Sequence, residues 1–266
     1  MLTDVLRLHP TKPDLWIYAA QFAMEENADM TEARSYMQRG LRFCKSSRQL
    51  WLEYARLELT YIAKIHARRQ ILGVAEGPGS DGKSPTNPAA DSNTPLALTT
   101  EDINPSGEAN GEKVDEVALE KLDSTPAMNG AIPVAVFDAA MAQFDNDPSI
   151  GHAFFDLVVS FNQIPPARSI LTHLEHKLLA TSPRSWHTQA CHIHSPLATT
   201  AVSSPDFPTA FRESLGRLRQ ALQEPGDEDE LTTWTQSWFG TMLEDEELDP
   251  AIRKIVQSQL GSLSKN

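Results

Sequence analysis

From Pro13 to Leu41 the apolar residues recur at helical spacing, with Leu15, Trp16, Ala19, Ala20, Phe22 and Ala23 on one stripe. Lys12-Pro13-Asp14 supplies a helix start, with proline in or near the first turn. Asn27-Ala28-Asp29 interrupts the stripe, and Thr31 opens another through Ala33, Tyr36, Met37, Gly40 and Leu41. The pattern then predicts a further helix pair over 49–61 and 63–72, closed by Gly73. Later stripes follow Val134, Phe137, Met141 and Phe144, then Phe154, Phe155, Leu157, Val158 and Phe161. Pro165-Pro166 breaks the chain before Ala167, Ile170, Leu171, Leu174, Leu178 and Leu179, and Ser185-Trp186 leads a short helix through Ala190. The last stripes run through Phe211, Leu215, Leu218 and Leu222, through Trp234 and Trp238, and through Ile252, Ile255, Val256 and Leu260. No run alternates polar and apolar residues between turn dipeptides, so no strand is expected. The class is all-α.

The first two helix pairs resemble each other. Leu15-Trp16 falls on Leu50-Trp51 at an offset of 35 residues, which sets Ala19 on Tyr54, Ala20 on Ala55 and Phe22 on Leu57. Ala33-Arg34 falls on Ala67-Arg68 at an offset of 34. A helix pair repeated at that period is the mark of an α-solenoid, because each pair has two apolar faces and must stack on neighbours to bury them.

Charge divides the chain. Of 23 Lys+Arg and 36 Asp+Glu, 11 basic and 8 acidic residues lie in 1–73, a net of +3; 74–130 and 131–266 each carry −8. The middle block has no Phe, Trp or Tyr but 6 glycines and 6 prolines, a composition too poor in apolar surface to offset backbone ordering. It reads as a disordered acidic linker with a short helix over 114–122. The expected organisation is a repeat region at 1–73, that linker at 74–130, repeat-like pairs at 131–200 and an acidic helical tail at 201–266. A total charge of −13 argues against a wholly basic nucleic-acid binder. Two cysteines make no disulfide framework, no apolar run reaches a membrane span of roughly 20 residues, and MLTDVLRLHPTKPD lacks the order of a secretory signal. A soluble intracellular chain is expected, without membrane or small-molecule partners.

Trp51-Leu-Glu-Tyr54-Ala55-Arg-Leu57-Glu58 resembles the first helix of a half-a-tetratricopeptide (HAT) repeat, and Ala33-Arg34-Ser-Tyr36-Met-Gln-Arg39-Gly40-Leu41 resembles the second. At Trp16 the pattern departs, with Ala19 at the aromatic position and Ala23 at the acidic one. The resemblance covers about 60 residues, His9 to Leu72. Asp4–Leu8 resembles the end of a preceding helix, so the family's usual N-terminal portion is expected to be missing. Within the repeat, the Trp fills the groove between paired helices, Ala or Gly permits close approach, and Glu58 pairs with an Arg of a second helix. Expected core residues are Trp16, Phe22, Tyr36, Leu41, Trp51, Tyr54, Leu57 and Ile71. As HAT repeats belong almost wholly to RNA-processing assemblies, the resemblance implies a nuclear, nucleolar scaffold of the small-subunit processome and its UTP-B subcomplex, with small nucleolar RNA or pre-ribosomal RNA as a further contact. The alternatives are a scaffold for splicing or mRNA 3′-end processing, and a direct RNA-binding module.

Catalytic and cofactor chemistry finds little purchase. His187, Cys191, His192 and His194 form the one metal-like group, yet they crowd into eight positions beside Ser195-Pro196 and lack a second Cys pair, so they read as boundary residues rather than zinc ligands. His173 and His176 flank Glu175 without metalloprotease spacing. Gly77, Gly79 and Gly82 lie in the acidic linker rather than in a phosphate loop, and Glu25-Glu26 and Glu244–Glu247 read as solvated helix ends. No enzyme, cofactor or metal is expected. The candidate RNA or partner contacts are Arg34, Arg39, Arg42, Lys45, Arg68 and Arg69, a cationic ridge able to meet phosphates or an acidic partner.

Overall fold

The computed structural model describes residues 2–71, 128–223 and 228–263; the expected linker helix over 114–122 and the helix stop at Gly73 lie outside them. Among the described residues there are eleven α-helices and no strand, so the chain has the all-α class its periodicity predicts. They divide into two compact units, 1–133 and 134–266.

The first unit holds α1 (Leu2–Leu8), α2 (Pro13–Glu25), α3 (Met30–Phe43) and α4 (Arg48–Ile71). The turn between α2 and α3 is set by Ala28 at φ 52°, a left-handed conformation, and by Asp29, whose carboxylate accepts the Glu32 amide at 2.9 Å to cap α3. Gly40 lets α3 close on α2, because a Cβ there would stand 2.9 Å from Trp16 Cβ and Cγ. Trp16 is buried in that contact and donates its indole N–H to the Pro10 carbonyl at 2.8 Å. Trp51 repeats the bond 35 residues on, donating to the Lys45 carbonyl at 2.9 Å. In both repeats a tryptophan ties the first turn of its helix to the loop six residues before it.

Three expectations are corrected. Residues 49–72 are not a helix pair: α4 runs unbroken from Arg48 to Ile71, because Leu59 through His66 contain no Gly, Pro, Asn or Asp to stop it. Phe22 is 42% exposed, since at 3.6 residues per turn it lies about 120° round from Trp16. Ile17 occupies the inward face instead, and Phe22 stacks on Tyr18 outside, 6.4 Å between centroids. Ile71 is 68% exposed at the last residue of α4. Tyr36, Tyr54 and Leu57 are buried, whereas Leu41 and Trp51 are half-buried.

The second unit contains α5 (Ala131–Gln143), α6 (Pro148–Val159), α7 (Ala167–Thr181), α8 (Trp186–His194), α9 (Phe207–Ala221), α10 (Glu228–Glu244) and α11 (Pro250–Leu263). Its α5–α6 turn uses Asp145 and Asn146 at φ 52° and 57°, residue types that tolerate the left-handed region, and Asp147 caps α6 through the Ser149 amide. Gly151 sits against Leu178, leaving no room for a side chain where α6 meets α7. Phe137, Phe154, Phe155, Met141 and Leu174 are fully buried, and a second cluster around Phe207, Phe211, Leu231 and Phe239 joins α8 to α11. The helix expected to end at Ala190 continues to His194. Glu228, Asp229 and Glu230 form the first turn of α10, where the helix dipole favours negative charge.

Candidate interaction surfaces

In the first unit the central polar contact joins α3 to α4. Arg34 grips Glu58 with two parallel bonds, Nε to Oε1 and Nη2 to Oε2, each 2.7 Å. Glu58 is 1% exposed, and the Arg34 guanidinium also lies over the Tyr61 ring, 5.3 Å from its centroid. The hydrogen bonds to Glu58, with its negative charge, raise the Arg34 pKa above its ordinary value. This is the Glu58–arginine pair the sequence predicts, and it turns Arg34 inward. Arg34 stays half-buried, with its side chain 26% exposed, whereas Arg69 is buried, at 6% exposure. The proposed ridge therefore loses Arg69 to the interior and Arg34 to its bond with Glu58, while Arg39, Arg42, Lys45 and Arg68 stay exposed. Arg39 also borders a groove of about 360 Å³ between α1, α2 and α3, walled by Leu6, Trp16 and Phe43 with Arg7 on its other side.

In the second unit the polar chemistry converges on Glu175 of α7. His192 meets Oε1 at 2.7 Å through Nδ1, the Ser195 hydroxyl donates to Oε2 at 2.5 Å, and Arg217 of α9 donates to Oε1 at 3.1 Å. Arg217 also reaches the His192 carbonyl at 2.6 Å and Glu213 at 2.7 Å. Burial alone would raise the Glu175 carboxyl, but the bonds from His192 and Ser195 and the nearby Arg217 hold it below its ordinary value. Ser and His both bond the carboxylate rather than each other, so the trio braces α7, α8 and α9 instead of forming a nucleophile–base relay.

His152, His187 and His194 join an aromatic cluster on α6, α8 and α10, while His173 of α7 bonds the Asp138 carboxylate at 3.0 Å and His176 is exposed. His152 and His187 share a hydrogen bond between their Nδ1 atoms at 3.2 Å, and His152 also meets Trp186 and Trp234 edge to face at 5.6 and 6.2 Å. His194 lies 5.4 Å from Trp238, which stacks with Trp234 at 5.3 Å. Burial lowers His152 to about 4; burial, with the His152 charge, lowers His194 to about 4. Cys191 is buried and its thiol is pushed well up. Thus His187, Cys191, His192 and His194 are split between a carboxylate brace, an aromatic cluster and the core, and no group of three metal-ligating side chains occurs among the described residues. Both the Glu175 brace and the histidine–tryptophan cluster escaped sequence reasoning, because their members lie 17 to 42 residues apart without a period.

No family model matches the chain. It is similar, however, to U3 small nucleolar RNA-associated protein 6 of Schizosaccharomyces pombe, 40% identical over 67 residues, which cover 25% of this chain and 14% of that protein. The mouse and human homologs of the same name are 38% and 36% identical over 70 residues, 26% of this chain and 12% of each. The matched stretch is thus about an eighth of the length of these relatives.

Proposed function

We propose that the chain is a non-catalytic scaffold subunit of the small-subunit processome, acting in the nucleolus on the ribosomal RNA precursor of the small subunit through protein contacts. The observation that carries this reading is the 36–40% identity to proteins named for association with U3 small nucleolar RNA, in fission yeast, mouse and human. Two further features support it. The tryptophan-anchored repeat of the first unit offers helix faces rather than a reactive pocket. In the second unit His152, His173, His187, His192, His194, Cys191 and Ser195 are engaged in packing or in carboxylate bonds. The exposed cations Arg39, Arg42, Lys45 and Arg68 are the first unit's contact residues for a partner subunit.

Affinity purification of the tagged full chain followed by mass spectrometry tests the reading. Processome subunits should co-purify; spliceosomal or 3′-end-processing proteins would move the chain to another RNA-processing scaffold, and the absence of stable partners would refute it. A direct RNA-binding module would instead bind isolated pre-ribosomal RNA with an affinity that falls steeply as salt rises.

A further inference from the structure

The face of α10 joins two features: the outer side of the tryptophan pair that packs on the core, and a run of carboxylates. Trp234 and Trp238 are half-buried and stacked, 5.3 Å between centroids, and their inner sides rest on His152 and His194. Glu230 lies one turn before Trp234 on α10, so a carboxylate borders the indole pair on its N-terminal side, while Asp245, beyond the helix end, accepts the Glu247 amide at 2.9 Å. From Glu228 to Asp249 there are eight carboxylates and not one Lys or Arg, and none of the eight is in an ion pair with a described residue. Arg253, the next cation, sits at the C-terminal end of this segment, where it donates to the carbonyls of Leu243 and Asp245 at 2.6 and 2.5 Å and closes the end of α10.

We infer that this face docks an arginine-rich linear segment of a partner protein, with guanidinium groups set against the indoles and paired with the flanking carboxylates. Charge selects the class of occupant. Phosphates of RNA are repelled by a rim on which eight carboxylates outnumber the single cation Arg253 at its end, whereas a basic peptide is drawn to it. The aromatic pair selects arginine over lysine, because a planar guanidinium can stack on an indole while its fork meets a carboxylate, and an ammonium does so less well. The first unit contains the same recognition in folded form, where Arg34 meets Glu58 with both arms and covers Tyr61.

The test uses the full chain, tryptophan fluorescence and calorimetry, and three probes: a synthetic peptide alternating arginine and glycine, its lysine counterpart, and single-stranded oligouridylate. The arginine peptide should bind, and the lysine peptide about fivefold more weakly. Trp234→Leu should weaken the arginine peptide roughly tenfold, as expected for loss of a partly desolvated cation–π contact. The exposed-rim change Glu230→Gln, which leaves the packing untouched, should weaken it about threefold and flatten its salt dependence. Absence of arginine-peptide binding, equal binding of the lysine peptide, unchanged binding by Glu230→Gln, or competition by the RNA at this face would each overturn the inference. None of these outcomes bears on whether processome subunits co-purify.

Discussion

The two units solve the same problem, holding short helices side by side, in different ways. The first repeats one device: a tryptophan packed at a helix start and hydrogen-bonded to the carbonyl six residues earlier, at Trp16 and again at Trp51. The second is held differently. It locks its helices with a carboxylate, Glu175, shared by His192, Ser195 and Arg217, and with an aromatic cluster built around neutral histidines. A periodic device leaves unit 1 open to disruption by packing changes, while a histidine-based one leaves unit 2 open to acid.

The largest expected effect breaks the first device. Trp16→Ala removes a side chain that is 5% exposed and should cost about 3–5 kcal/mol, whereas half-buried Trp51→Ala should cost about half as much; urea unfolding of each variant checks the order. Equal costs would mean that the two repeats are packed alike. Next, Arg34→Ala leaves the Glu58 carboxylate buried without its cation and should destabilise by about 3 kcal/mol. Arg34→Met with Glu58→Leu should recover much of that loss, which a double-mutant cycle measures.

Acid sharpens the comparison from the other side. His152 titrates near 4 in the folded chain against 6.5 when free, so the unfolded state binds the proton first as pH falls. The stability that depends on a neutral His152 is complete above pH 6.5 and declines between about 6.5 and 4, while Asp156, 3.6 Å from His152 and raised to about 6 by burial, binds its proton more readily folded than unfolded and offsets part of that loss. His194 adds a loss in the same direction. Near-ultraviolet signals from Trp186, Trp234 and Trp238 should therefore collapse at a higher pH than those from Trp16 and Trp51, as single-tryptophan variants would report. The smallest effect is a gain. Ala28 sits at φ 52°, where a Cβ is strained, and Ala28→Gly should stabilise the first unit by about 0.5–1 kcal/mol in a thermal melt.

How far the sequence foretold this depended on whether a contact was local or periodic. Leu15-Trp16 and Leu50-Trp51 were legible because a 35-residue offset repeats them, and so was the helix break at Asn27-Ala28-Asp29, because it contains turn-forming residues. The Glu58–arginine pair was legible as a type of contact, but which arginine it takes is settled by α3 crossing α4 at Arg34. The misplaced break near Tyr61 came from extending the repeat to a second helix that the uninterrupted stretch through His66 does not permit. Phe22 followed the offset onto Leu57, yet the two positions face different surroundings, with Leu57 buried and Phe22 exposed. Arg69 read as a surface cation because charge alone carries no sign of burial. The contacts of Glu175 and His152 span loops and helices with no common period, so they emerge only once α6 to α10 are packed.

We propose that the first unit holds partner subunits of an RNA-processing assembly through its exposed cations rather than through Arg34 and Arg69, one engaged by Glu58 and the other buried. The most direct measurement compares the tagged full chain with an Arg39→Glu, Arg42→Glu, Arg68→Glu variant in affinity purification with quantitative mass spectrometry, alongside thermal melts of both. The account predicts that processome proteins co-purify with the unaltered chain and fall about tenfold with the variant, as for loss of several interfacial charges, at an unchanged melting temperature. Undiminished recovery of the same proteins by a folded variant would contradict it.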